Sequence, residues 1–279
     1  MASDPGILSL DDRRFAALDE AERRFTPADF GSFFEVRQLL GEPGPGPGPE
    51  ARAQLRRLCS RSFGLNAGGL TEACKDRFFE ILFDGARFAD PRPAGDAAGM
   101  AGAASLAGAA SVAGAASVGH ASGAAREGQV AEDLLRPILL ELAAFPRRRG
   151  DFALPFSFAS KLVSARLESS PIYDRHVLAF FGERPPPARV ERETRIAWYL
   201  ALLGRIGESY RAWAGEGRVE ALLGRFRSRF AGLEGTHVVR LLDFLVWKAG
   251  AEGLIGGSGE GGRGRAGPSP PWAPGSGGG

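Results

Sequence analysis

The stretch IAWYLALLGRIGESYRAW, residues 196–213, sets the fold class. Its large apolar side chains Ile196, Tyr199, Leu200, Leu203, Ile206, Tyr210 and Trp213 recur at spacings of three and four. A helix of about 3.6 residues per turn gathers such positions on one face, whereas a strand requires alternation. Downstream, Val219, Leu222, Leu223, Phe226 and Phe230 repeat the pattern, as do Val238, Leu241, Leu242 and Leu245. Upstream, Thr26 before Pro27 reads as a start signal for a helix carrying Phe30, Phe33, Phe34 and Leu40. Thr71 plays the same part before Phe78, Phe79, Leu82 and Phe83. Residues 131–145, AEDLLRPILLELAAF, read as an apolar helix that Pro137 starts or kinks. No strict alternation runs beyond about four residues, so the chain is expected to be an all-α bundle.

Three segments interrupt the helical pattern. PGPGPGP at 43–49 reads as a spacer with neither helix nor strand propensity. Residues 91–128 hold three near-copies of a six-residue unit, AGAASL, AGAASV and AGAASV, at 101–118. A hexapeptide period suggests a β-solenoid, but Ala/Gly units bury too little surface to stack, and a disordered insert is expected. Residues 255–279 are mostly Gly, Ser and Pro around an isolated Trp272, a disordered tail by composition. The organisation is therefore an N-terminal helical region (1–90), the insert, a helical core (129–254) with a hairpin-like segment at 146–182, and the tail.

A chain of 279 residues with 44% hydrophobic content can build a core without staples. Every apolar run is broken before it reaches membrane-spanning length, and Met1 opens an acidic, Pro-containing start. A cytoplasmic protein is expected, or a nuclear one in a eukaryotic cell, and a monomer. Cys59 and Cys74 have no second Cys or His at ligand spacing, so they read as reduced thiols, with no metal and no cofactor implied. The formal charge of +2 says little about a polyanionic partner, because a total hides local patches. Basic residues are nearly all Arg, and the only lysines are Lys75, Lys161 and Lys248.

One of those lysines lies in the segment with readable chemistry, residues 151–182. Arg147, Arg148 and Arg149 precede it at a turn, where they meet either a phosphate backbone or water. Ser157 reads as an N-cap, after which Phe158, Leu162 and Ala165 mark an apolar face with Lys161 beside it. Partial burial and the positive end of a helix dipole both press a lysine toward its neutral form, the form that attacks carbon. A lysine whose stem merely covers Phe158 or Leu162 fits the same spacing. Asp174 reads as the N-cap of a short helix from Arg175 to Phe181 that stops at Gly182. Thirteen residues separate it from Lys161, so the two helix starts can share one cleft.

Leu154-Pro155, Lys161 and the run Asp174-Arg175-His176-Val177 together resemble the helix-hairpin-helix DNA glycosylase superfamily, particularly its lysine-bearing 8-oxoguanine branch. The resemblance covers about thirty residues. It implies a two-lobed helical fold on double-stranded DNA with a damaged base flipped between the lobes. It also implies that Lys161 attacks the anomeric carbon of an oxidised purine nucleoside while Asp174 orients it. Phe156, Phe158, Tyr173 and His176 are then candidates to flank the base, and Arg147, Arg148, Arg149, Ser157, Ser160 and Arg175 to contact the backbone. Read without the resemblance, the same scaffold serves as a non-catalytic nucleic-acid- or protein-binding bundle, with Lys161 and Asp174 as an internal ion pair. Asp243 lies inside an apolar run with no evident role.

Overall fold

The periodic segments fold as helices, and the computed structural model describes residues 8–41, 46–63, 65, 69–88, 133–146 and 154–255. Their order is α1 (Asp12–Arg24), α2 (Gly31–Leu40), α3 (Pro49–Ser62), α4 (Glu72–Phe83), α5 (133–143), α6 (Phe156–Arg166), α7 (Arg175–Phe181), α8 (Arg192–Ala214), α9 (Gly217–Arg229) and α10 (Val238–Ala251). Among the described residues there is no strand, as the absence of alternation predicts. The insert at 91–128, most of the tail and Arg147, Arg148 and Arg149 lie outside the described residues.

Local chemistry fixes the starts. The side chains of Asp11, Thr71 and Asp174 accept hydrogen bonds from Arg14 N, Cys74 N and His176 N, satisfying amides that a helix leaves open. Gly182 ends α7 at φ 71°, a left-handed conformation that glycine adopts without steric cost. Two expectations need correction. Thr26-Pro27 opens a 3-10 turn (Pro27–Asp29) in which Asp29 caps the Thr26 amide at 2.7 Å, and α2 begins only at Gly31. Of the two alternatives for Pro137, a helix start is excluded, because it lies within α5. PGPGPGP is not merely a spacer: Pro47 is buried, its carbonyl accepts from Arg52 Nε at 2.7 Å, and Pro49 opens α3.

Two groups of helices emerge from the contacts, one of α1, α7, α8, α9 and α10 and the other of α2, α3, α4 and α6, with α5 held on α4 by Arg77–Glu141. α10 is apolar on most sides and accordingly buried, with Leu241, Leu242, Phe244, Leu245 and Val246 inaccessible to solvent. Aromatic rings sew the groups together: Phe244 of α10 meets Phe33 of α2 edge-on at 4.9 Å and Phe30 at 5.1 Å, and Phe30 stacks on Phe25 at 5.0 Å. α7 crosses α10 so closely that a Cβ on Gly250 would stand 2.0 Å from the carbonyl oxygen of His176. Only glycine permits that approach.

Candidate functional site

α6 delivers Lys161 and the N-terminus of α7 delivers Asp174. Pro155, not Ser157, precedes the first residue of α6, and its carbonyl accepts from the amides of Phe158 and Ala159 at 3.0 Å each. Lys161 therefore lies in the second turn, where the dipole's opposition to a cation has faded, and desolvation remains as the dominant effect. Its amine stands 3.4 Å from Asp174 Oδ2, with the two side chains 7% and 11% exposed. The other carboxylate oxygen of Asp174 accepts from His176 N at 2.7 Å, so the cap fixes which oxygen faces the amine. Burial pushes the Lys161 amine below the ordinary lysine range; the Asp174 charge opposes that shift and Arg175 adds to it.

What ties α6 to the loop before α7 is a pair of residues on α10. Arg240 and Asp243, three apart on the helix, are 2% and 1% exposed and face each other at 3.2 Å. The Arg240 guanidinium donates to the carbonyl of Ser164 in α6 at 2.7 Å and to its hydroxyl. Asp243 Oδ2 accepts from Ile172 N at 3.0 Å, two residues before Asp174. One arm of this clamp thus grips the helix of Lys161 and the other the loop of Asp174. Burial raises the Asp243 carboxyl to about 7, against the pull of Arg240, the Ile172 amide and the Tyr210 hydroxyl. Asp243 stood out in the sequence without a role and Arg240 not at all. The available signal was their opposite charge at a spacing of three within a run that leaves no route to solvent.

A cavity of about 40 Å³ lies between the helix groups, lined by Lys161, Ser32, Arg37, Glu168, Arg240 and Phe244 among others. Since a single water needs roughly 10–15 Å³ by this kind of measure, it accommodates a few waters and not a purine. At its rim Arg37 is paired with Glu168 at 3.0 Å.

The remaining predicted site residues fall elsewhere. Phe156, Tyr173 and Tyr199 form an aromatic nest, with Phe156 stacked on Tyr199 at 3.7 Å and edge-on to Tyr173 at 5.5 Å. Phe156 and Tyr173 are core, as is Phe158 at 9% exposure, and none of the three lines the Lys161 cavity. Ser160 is fully buried and spends its hydroxyl on the Tyr173 backbone, accepting from the amide at 3.0 Å. It joins α6 to the loop and is not a phosphate contact. His176 is half-buried against the Trp247 ring at 5.3 Å and accepts from Arg175 Nε at 3.2 Å; burial lowers its pKa. Arg175 is exposed and Ser157 half-buried.

Among the described residues no group of His, Cys, Asp and Glu is placed to hold a metal, and no helix is long and apolar enough to cross a membrane. Comparison with known families, curated proteins and solved structures finds no match for this chain.

Proposed function

We propose that this protein is a DNA base-excision glycosylase acting on an oxidised purine, with Lys161 as the nucleophile and Asp174 as its charge partner. The observation that carries the reading is a desolvated primary amine 3.4 Å from a fixed carboxylate, on the wall of a cavity at the seam of two helix groups. In this chemistry the neutral Lys161 amine forms a bond to C1′ as the glycosidic C–N bond breaks and its electron pair leaves with the base. Asp174 opposes the positive charge that develops on the sugar and accepts the proton the amine sheds. Ring opening then gives an iminium that a hydride donor can reduce and that also permits strand cleavage. A base reaches the amine only if the helix groups part along the seam beside Arg37 and Glu168.

A second reading has its own support. The Lys161–Asp174 pair closes on itself and the cavity is far smaller than a purine, as suits a helical nucleic-acid- or protein-binding protein in which the pair is structural. Borohydride reduction in the presence of an 8-oxoguanine duplex separates the two. The glycosylase reading expects a covalent protein–DNA adduct that disappears in Lys161→Gln; absence of an adduct on oxidised-purine duplexes overturns it. Because only the uncharged amine attacks and its pKa is lowered, adduct formation should climb with pH and level off below the ordinary lysine value of about 10.4. Asp174→Asn, which removes the charge that keeps the proton on, should slow the reaction and move that inflection to lower pH.

A further inference from the structure

The net charge of the chain conceals a strongly basic helix. α3 carries Arg52, Arg56, Arg57 and Arg61 against Glu50 alone, a formal +3 where the whole chain totals +2. It borders an open concavity of about 610 Å³ lined by Arg56, Arg57 and Arg61 of α3 with Glu72, Lys75 and Asp76 of α4. Two of these cations are answered locally, Arg56 by Asp76 at 2.6 Å and Lys75 by Glu72 at 2.8 Å. Arg57 and Arg61 are exposed and have no ion pair among the described residues. Four residues apart, they lie one above the other about 6 Å along the helix, where like charges repel. Among the described residues no ion pair relieves that repulsion, and a row of anions would.

We propose that the α3–α4 concavity seats the phosphodiester backbone of duplex DNA through Arg57 and Arg61, with Arg56 and Lys75 on its walls. Duplex DNA presents closely spaced charges along its axis, which a stripe of arginines on one helix face can follow. A lipid surface suits the site less well. Phe79, the one aromatic ring in the lining, is only 2% exposed, and the lining offers no large exposed apolar group to enter a bilayer. The proposal does not depend on the chemistry of Lys161.

The test is binding of an undamaged, fluorescently labelled duplex followed by anisotropy across a salt titration. Arg57→Gln/Arg61→Gln removes two phosphate contacts, so the logarithmic salt slope should flatten by about 1.8. Between about 50 and 200 mM salt the wild type should then lose roughly tenfold more affinity than this variant. Arg184→Gln/Arg189→Gln makes the same charge change on exposed residues of the α7–α8 loop and should keep the wild-type slope. Asp76→Asn, which releases Arg56, should tighten binding. An unchanged slope in the α3 variant, or equal flattening in the loop control, overturns the proposal. So does arginine-dependent capture on phosphatidylserine vesicles without duplex binding. The undamaged duplex offers Lys161 no lesion to attack, so failure of the borohydride adduct and failure of the groove are read separately.

Discussion

Replacing Arg240 with methionine leaves the Asp243 carboxylate 1% exposed and without its counter-charge, and strips the Ser164 carbonyl and hydroxyl of their guanidinium donor. Breaking a buried ion pair from one side costs about 3–5 kcal/mol, because an uncompensated charge stays behind. Asp243→Asn keeps an oxygen for the Ile172 amide at 3.0 Å but leaves Arg240 buried without an anion, so its cost belongs in the same range. The double variant Arg240→Met/Asp243→Asn contains neither charge, retains the Ile172 bond, and should fall short of the summed single costs by about 2–3 kcal/mol. Urea unfolding followed by circular dichroism at about pH 8, above the value of about 7 that Asp243 has beside Arg240, measures all four corners of the cycle, with constant m-values as the check on two-state behaviour. The pH dependence has a definite sign. Asp243 holds its proton more tightly folded, to about 7, than unfolded, so its ionisation opposes folding as pH rises from about 4 to about 7. That contribution is present in the wild type and absent in Asp243→Asn. Additive single costs would refute the clamp, since they would mean that guanidinium and carboxylate do not interact across α10.

Two further expectations test the packing. Gly250→Ala drives a Cβ into the His176 carbonyl, which as backbone cannot rotate away; α7 should separate from α10 with a loss of about 3 kcal/mol or more in urea unfolding. Gly182→Ala meets no atom within 4 Å but must adopt φ 71°, and so should cost only about 1–2 kcal/mol. Equal costs would show that contact does not separate the two sites. Cys59 is buried, with its thiol pushed up to about 12, and should resist a disulfide reagent at about pH 8 until the protein unfolds, when both free cysteines should react. Rapid labelling of Cys59 in the folded protein would contradict its burial.

Most of the helix content was legible because apolar spacing is a local property. The faces read from Tyr199 to Trp213 and from Val219 to Phe230 are buried as the period requires. Thr71 and Asp174 cap the helices they precede, since a short polar side chain next to open amides has few better partners. At α6 the local signal misleads: Ser157 offers the favoured capping side chain, yet Pro155 already turns the chain into the helix. Phe156 and Tyr173 suit a base pocket in sequence because any aromatic ring can stack on a base. Sequence carries no sign of which rings find one another, and these two found Tyr199.

By itself the sequence determined an all-helical fold class and the ends of several helices, and it singled out Lys161 and Asp174 as a candidate pair. The tertiary structure alone decided that their side chains meet at 3.4 Å, that the cavity lined by Lys161 holds only a few waters, and that Arg240 and Asp243 of a helix more than sixty residues later in the chain fix their spacing. The division has a physical cause. Helix periodicity and capping depend on neighbours within about a turn, whereas the distance between two side chains, and the burial that shifts their proton affinities, depend on how separate helices pack.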